Sequence, residues 1–452
     1  MIYNTMMTFD DLNLNTPLRN ALQDIGFIYP TSIQEKVFSV AMSGRDVIGI
    51  AQTGTGKTIA YLLPCLRLWK FSKDRFPQIL IVVPTRELVI QVVESVERLT
   101  TYMNVQVVGV YGGTNINTQR LLVEQGLDVL VATPGRLMDL ILKGSLNVKK
   151  IKKLIIDEVD EMLNLGFRHQ LLNLLDVLPP KRQNLLFSAT ITEEVEELAA
   201  TFFNFPEKIE AAPTGTPLEN ISQKAFFVPN FNTKANLLEL LLTQDETMDK
   251  VLVFAATKRL ADQLFEHFNE KYPEQFGVIH SNKAQNNRFN TVTSFKDGTY
   301  RVLIATDIIA RGLDIAGVSH VINFDVPEEA ENYMHRIGRT GRADANGIAI
   351  SFISEKEKPF QEAIEQLMDY QIPIAALPPD LEISDILTLD ELPKVAMKNL
   401  AINLPDIEKS GGAFHEKSAK SLKVNRKIRR AEKMRLKYGK PQTRGQKKKK
   451  KK

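Results

Sequence analysis

The sequence predicts an α/β protein made of two domains of similar architecture, each with a mainly parallel sheet. Short β-rich apolar runs alternate with amphipathic helical runs along most of the chain. The apolar runs are continuous rather than alternating, as parallel strands covered on both faces require. A polar, Pro/Gly-rich stretch, "AAPTGTPLENIS" at 211–222, separates two such series and reads as a linker.

In the first series "DVIGIA" precedes the helical "KTIAYLLPCLRLW", and "QILIVVP" precedes "RELVIQVVESVERL". "DVLVATP" then leads into "GRLMDLIL", and "KKLIID" into a further helical stretch. This is the βαβ signature of an open α/β sheet. The second series runs through "KVLVFAAT", "FGVIHS", "RVLIATD", "VSHVINFD" and "GIAISFIS". An acidic, Pro-containing extension follows at 371–414 with no evident role, and then a basic tail at 415–452.

A chain of 452 residues is too long for one ordinary core. The apolar share of 43% and the charged share of 25% are those of a globular protein. No run of 18 apolar residues is present, so no membrane span is expected. The start "MIYNTMMTFDD" lacks a basic segment followed by an apolar one, so no secretory signal is expected either. Cys65, the single cysteine, excludes an intrachain disulfide and reads as a core residue, which fits a reducing, cytoplasmic setting.

The net charge of +4 conceals an asymmetry. Residues 415–452 hold 18 Lys/Arg against two Glu, about +16, which leaves about −12 on the rest. Such a tail disfavours a compact core and is expected to be disordered, and an anionic partner would relieve its self-repulsion.

Two sites carry chemistry. "AQTGTGKT" (51–58) follows a strand and opens a helix, the context of a phosphate-binding loop. The first glycine of that pattern is Ala51 here, so its working core is Gly54, Gly56, Lys57 and Thr58. Glycines turn backbone N–H groups toward phosphates, Lys57 supplies charge, Thr58 offers a hydroxyl to Mg²⁺, and the helix N-terminus adds its dipole. "LIID" (154–157) delivers Asp157 to the carboxyl edge of the sheet as the second partner of Mg²⁺, and Glu158 beside it is the candidate base for an attacking water.

Read with "GFIYPTSIQ" (26–34), "PTRELVIQ" (84–91), "GG" (112–113), "TPGR" (133–136), "DEVD" (157–160), "SAT" (188–190), "ATDIIARGLDI" (305–315) and "HRIGRTGR" (335–342), the chain resembles a DEAD-box RNA helicase over about residues 8–355. The resemblance implies two tandem RecA-like domains and ATP-driven remodelling of RNA duplexes or RNA–protein complexes. Its domain plan is an adenine-reading region at 8–36, an ATP-binding domain at 37–210, the linker at 211–222 and a helicase C-terminal domain at 223–370.

Roles carry over by motif. Gln34 is the family's adenine reader, since a carboxamide donates and accepts toward adenine's N6 and N7. Phe9 is the family's stacking ring on the base, with a core position as its alternative. Gln52, Thr53 and Thr55 belong to the phosphate loop with Gly54 to Thr58. Asp160, Ser188, Thr190 and His335 form the relay between nucleotide and domain interface. Arg339 and Arg342 resemble arginine fingers that reach across the cleft, and Asp314 resembles the ribose contact. RNA contacts are expected from Arg86, Gly113, Thr133, Gly135 and Arg136 in the first domain. Gln285, Arg288, Thr306 and Asp307 are the candidates in the second, all through backbone and 2′-OH groups and without sequence selection.

Two departures stand out. Ser281 occupies a position that is Gly in the family, and Val159 replaces the usual Ala of the box. The implied protein is an ATP- and Mg²⁺-dependent, monomeric RNA helicase, with ribosomal and mRNA complexes both open as partners. A DNA translocase of the wider superfamily and an ATP-gated RNA clamp with little strand displacement are the rival readings.

Overall fold

The computed structural model describes residues 7–52, 54–211, 220–307, 315, 317–341, 346–388 and 391–392. Two parallel sheets lie within one compact unit that ends at Leu392. No helix among the described residues is long and apolar enough to cross a membrane.

The first sheet has seven strands: β1 (Val47–Ile50), β2 (Ile79–Val82), β3 (Val107–Val110), β4 (Val129–Ala132), β5 (Lys153–Ile156), β6 (Gln183–Ser188) and β7 (Glu207–Glu210). They lie in the order β3-β4-β2-β5-β6-β1-β7. The second has six: β8 (Ile221–Phe227), β9 (Val251–Phe254), β10 (Phe276–Ile279), β11 (Val302–Ala305), β12 (His320–Asn323) and β13 (Gly347–Ile353), in the order β10-β11-β9-β12-β13-β8. All pairings are parallel.

Several central strands are apolar throughout because they feed two cores. Ile79 and Ile81 of β2 join one cluster while Leu80 and Val82 join the other, and Val251/Val253 and Leu252/Phe254 of β9 divide in the same way. Cys65 is a core residue, and burial pushes its thiol up to about 11. Asx and Ser/Thr caps start several helices: Thr85 Oγ1 accepts Leu88 N–H, and Thr257 Oγ1 accepts Leu260 N–H.

The fold departs from expectation at two boundaries. β8 begins at Ile221, inside the segment read as linker, and Ile221 and Ser222 pair with Gly347 and Ile348 of β13. The extension at 371–414 is not featureless either, because its first part is docked on the second domain. Ala225 N donates to Pro373 O at 2.9 Å, and Ala375 N donates to Ala225 O at 2.8 Å. Further on, Asn236 Nδ2 donates to Glu382 O, and Asn232 Nδ2 donates to Ile386 O. Glu391 Oε1 accepts Phe231 N–H at 2.6 Å, capping the helix Phe231–Gln244. The basic tail and the rest of the extension lie outside the described residues.

Candidate nucleotide site and domain cleft

The phosphate loop leaves the carboxyl end of β1 and enters the helix Lys57–Arg67 through Gly56, whose φ is +89°. A Cβ there would also stand 2.3 Å from Gln34 Nε2, so both conformation and space call for glycine. Lys57 Nζ is buried and makes no hydrogen bond among the described residues. A buried ammonium so placed suits an incoming phosphate. Thr53 lies outside the described residues.

Gln34 is buried and tied to this loop. Its Oε1 accepts Thr31 N–H at 2.9 Å, and its Nε2 donates to Gly56 O at 3.1 Å. Thr31 Oγ1 donates to Thr55 O at 2.8 Å. One amide hydrogen and one oxygen lone pair of Gln34 stay open for a base. Phe9 does not take the stacking role expected of it. It is 4% exposed and packed in the core, because a ring that can bury fully among aliphatic side chains gains more there than on a wet cleft edge. Phe27 (43%) and Tyr29 (57%), which precede Gln34 in the same motif, are exposed rings.

β5 delivers Asp157 and Glu158 to the same edge, and both are buried. Glu158 has φ +53°, a left-handed strain at the start of the helix Val159–Asn164. Burial, against the pull of Lys57, raises the Asp157 carboxyl above its usual range. Burial likewise pushes Glu158 up to about 7, with Asp157 adding to the rise and Lys57 and Arg339 opposing it. Arg339 thus acts on Glu158 from the other domain. Val159 faces the opposite way, fully buried among Leu154, Ile156 and Met162.

Asp160 Oδ2 accepts Ala189 N–H, Thr190 N–H and Thr190 Oγ1–H at 3.0–3.1 Å. His335 Nε2 of the second domain stands 3.9 Å from the same oxygen. Asp160, Thr190 and His335, expected to act together, are thus brought close to one another, and Ser188 is fully buried with no hydrogen bond to its Oγ among the described residues. Arg342 and Asp314 lie outside the described residues.

Several side chains expected to contact RNA are engaged with protein partners. Arg86 Nη1 donates to Gln285 Oε1 at 3.1 Å, Gln285 Nε2 donates to Glu87 Oε1 at 3.1 Å, and Arg288 pairs with Glu87 in a buried ion bridge. Arg136 is also committed to protein: it donates to Gln119 Oε1 at 2.6 Å and to Thr114 O at 2.8 Å. Buried Arg136 and Arg288 take local acceptors in this way, while Arg136 Nε and Arg288 Nε make no hydrogen bond among the described residues. Gly113 has φ +78°, and a Cβ there would meet the Arg86 guanidinium at 2.1 Å. Gly135 faces open space, and Thr133 is buried at the head of the helix Pro134–Leu142.

Thr306 and Asp307 line an interdomain cavity of about 760 Å³ together with Glu161, Asn164, Lys258 and Glu329. Asp307 is held by Arg336, whose Nε and Nη2 donate to its two oxygens at 2.6 and 2.8 Å. Glu87, Arg336 and the Thr257–Lys258 corner were not singled out from sequence. Glu87 and Arg336 stand inside motifs already quoted, but a partner across the cleft leaves no trace in spacing.

The family model for DEAD/DEAH box helicases matches residues 31–198, and that for the helicase conserved C-terminal domain matches 233–344. The DEAD-box ATP-dependent RNA helicase CshA of Bacillus subtilis is 38% identical over 363 residues, 80% of this chain and 72% of that one. The ATP-dependent RNA helicase DbpA of the same organism is 36% identical over 380 residues, 84% of this chain and 78% of that one. Among solved structures, S. cerevisiae Dbp5 bound to RNA and ADP BeF3 superposes with a TM-score of 0.74 at 28% identity, covering 82% of this chain and 96% of that one. Mss116p bound to ssRNA and AMP-PNP gives 0.77 at 28%, covering 84% and 81%. The tandem parallel sheets are therefore RecA-like domains, and with its phosphate loop, its DEVD box and an arginine from the second domain at the first domain's glutamate, the chain belongs to the DEAD/DEAH box helicase family.

Proposed function

We propose that the chain is an RNA-stimulated ATPase that separates short RNA duplexes or remodels RNA–protein complexes. The carrying observation is that the second domain meets the DEVD box of the first: His335 Nε2 stands 3.9 Å from Asp160 Oδ2, and Arg339 and Lys57 both act on the Glu158 carboxyl. Lys57 binds phosphate oxygens and Gln34 reads adenine. Glu158 takes the proton of the attacking water, and its raised affinity for a proton suits a base near neutral pH. Arg339, joined by Arg342, stabilises charge developing on the γ-phosphoryl group, so hydrolysis requires closed domains. Phe27 and Tyr29 offer the aromatic surface for the base, in place of Phe9.

Thr58 and Asp157 present hard oxygen donors of the kind Mg²⁺ takes while keeping most of its water. Bound there, Mg²⁺ would neutralise charge on the β- and γ-phosphate oxygens. RNA is gripped without sequence selection by backbone groups at Gly113, Thr133, Gly135 and Thr306. Arg86, Arg136, Gln285, Arg288 and Asp307 position that groove. The enzyme acts as a cytoplasmic monomer, on RNA that includes ribosomal or mRNA complexes, and its domains run 37–210 and 223–370 with the strand Ile221–Phe227 adjoining the second.

The Glu87–Arg288 bridge favours a second reading, a clamp that stays closed on RNA while hydrolysis times release. Strand displacement measured beside RNA-stimulated ATP turnover separates the two. Displacement that tracks turnover supports the helicase, turnover without displacement supports the clamp, and no RNA-stimulated turnover rejects both.

A further inference from the structure

The strands of the first sheet are all parallel, so the phosphate loop and the DEVD box share its carboxyl edge, and the turns that enter the strands share the opposite, amino edge. β2, β5 and β6 are neighbours in the sheet. The stretches "KFSKDRFP" (70–77), "KGSLNVKKIKK" (143–153) and "LPPKRQ" (178–183) lead into them and therefore lie side by side. Hydrogen bonds join them: Lys152 Nζ donates to Gln78 Oε1, Gln78 Nε2 donates to Lys70 O, and Gln183 N donates to Lys152 O, each at 2.8 Å.

These three stretches hold ten Lys/Arg and one acid, Asp74, on a body that is acidic in sum. None of the ten forms an ion pair among the described residues. Lys70, Lys73, Arg75, Lys149, Lys150 and Lys181 are exposed. Cations held together without counter-charges repel one another, and an anionic partner relieves that cost.

Two rings are interleaved with the cations: Phe71 is 55% exposed and Phe76 38%. Lys73, Arg75 and Phe76 line a cavity of about 530 Å³ with Gly126, Gly144 and Asn147. Its acids are Asp74 and Glu124, and Glu124 is paired with Arg120. Arg75 is held there at φ +46°, with Leu127 N donating to its carbonyl at 2.9 Å. Gly126 makes the approach possible, because a Cβ on it would meet Arg75 Cβ at 2.7 Å. Cations alone would suit any anion. A concave wall that alternates cations with exposed rings suits a chain of phosphates carrying flat bases, whereas a bilayer is flat and an acidic peptide gives the rings little to stack on.

We propose that the amino edge of the first sheet is a second RNA-binding surface, which takes single-stranded RNA flanking the segment held in the cleft. Lys73, Arg75, Lys149 and Lys150 meet phosphates, and Phe71 and Phe76 meet bases. The proposal rests on the reading of the chain as an RNA-binding enzyme.

The test compares the full chain with two variants, one carrying Lys73→Gln, Lys149→Gln and Lys150→Gln together and one carrying Phe71→Ala. The basic tail is present in all three, so differences belong to the sheet edge. Binding of fluorescent single-stranded RNA is titrated over a salt series with a non-hydrolysable ATP analogue, using a strand of about 8 nucleotides, within one binding site, and one of about 40. On the long strand the triple variant should lose about tenfold in affinity, and its slope of log K against log salt should be shallower by about 2, from about 0.7 for each lysine removed. Phe71→Ala should lose about fivefold or more on the long strand while keeping the parent's slope. Both variants should bind the short strand as the parent does and, saturated with it, keep the parent's kcat for ATP. Parent-like binding of the long strand by the triple variant overturns the proposal. Equal loss on both strands also overturns it, by moving the contact into the cleft. If the triple variant keeps its RNA affinity and loses binding to phosphatidylserine vesicles that the parent holds, the surface serves a membrane and the proposal falls. If the parent neither binds RNA nor turns over ATP in response to it, the enzyme reading fails and takes the proposal with it.

Discussion

Arg288 of the second domain and Glu87 of the first are joined by a buried ion bridge across the cleft. Gln285 completes a clasp, accepting from Arg86 and Arg288 and donating to Glu87. Removing one member of such a pair leaves a buried charge unpaired, at about 2–5 kcal/mol. Glu87→Gln or Arg288→Met should therefore shift the chain toward open domains and lower RNA-stimulated turnover by more than about tenfold. Nucleotide affinity in the absence of RNA should hold. Because Cys65 is buried, labels on two introduced surface cysteines can report domain separation directly. Parent-like closure in either variant would show that the clasp carries no closing energy.

Glu158 sets two opposite pH trends. As a base it works only when deprotonated, so kcat/KM for ATP should climb with pH through about 7. Its effect on stability runs the other way. Below its ordinary value of 4.5, folded and unfolded chains both hold the proton. Between 4.5 and about 7 the unfolded chain loses it while the folded chain keeps it, so stability falls as pH rises. The loss is complete above about 7 and amounts to about 3 kcal/mol. Glu158→Gln should accordingly melt above the parent at pH 8, with the gap closing toward pH 5, while hydrolysis collapses. A melting difference that is flat with pH would remove the case for a buried, proton-holding Glu158.

What was legible in the sequence follows the physics of burial. β2, β4, β5, β9 and β11 stand out as unbroken apolar runs because both faces of each are covered. β7 does not, because it is an edge strand: it reads "EKIE" and buries only Ile209 well. β8 begins with "ISQK", whose alternation blends into the polar linker before it. The docked stretch after Ile372 escaped notice because backbone carbonyls and side-chain amides hold it, and neither leaves a periodic pattern. The nucleotide residues were legible from local spacing, since loop, strand end and helix start are contiguous in sequence. The fates of Phe9, Arg136 and Arg288 were not, because each depends on a distant partner that decides whether a side chain is free or satisfied.

Gln34 links base recognition to the phosphate loop through Gly56. Guanine presents O6 where adenine presents N6, so GTP meets a carboxamide oriented for the wrong pattern. The parent should discriminate ATP from GTP strongly in kcat/KM. Gln34→Ala should lose that discrimination and also weaken ADP binding, because the loop loses its tie. Equal kcat/KM for the two nucleotides in the parent would refute the assignment.

The tail at 415–452 carries about +16. Each phosphate it neutralises on single-stranded RNA contributes about 0.7 to the slope of log K against log salt. Deleting the tail should weaken RNA binding and flatten that slope, leaving nucleotide-dependent basal turnover intact. An unchanged slope would rule out a phosphate-binding role.

Val159 stands between a base and a relay acid, yet its side chain can neither hold Mg²⁺ nor move a proton. The left-handed Glu158 turns the chain into the helix Val159–Asn164, which Val159 opens on its core side. It is fully buried there against Leu154, Ile156 and Met162. Against the family's alanine it adds two methyl groups, and forcing those into an alanine-sized slot would cost about 1–3 kcal/mol, so the surrounding core is already shaped to take them. Val159→Ala should therefore leave RNA-stimulated ATPase nearly unchanged and lower stability by about 1 kcal/mol or somewhat more, from lost burial and a small cavity. Val159→Asp should inactivate or unfold the first domain by burying an unpaired carboxylate. Thermal unfolding beside ATPase on the alanine variant decides the matter. If turnover dropped by more than about tenfold, about 1.4 kcal/mol in the barrier, in a protein that melts like the parent, Val159 would be shaping the Glu158 turn itself, and the packing account would have to be abandoned.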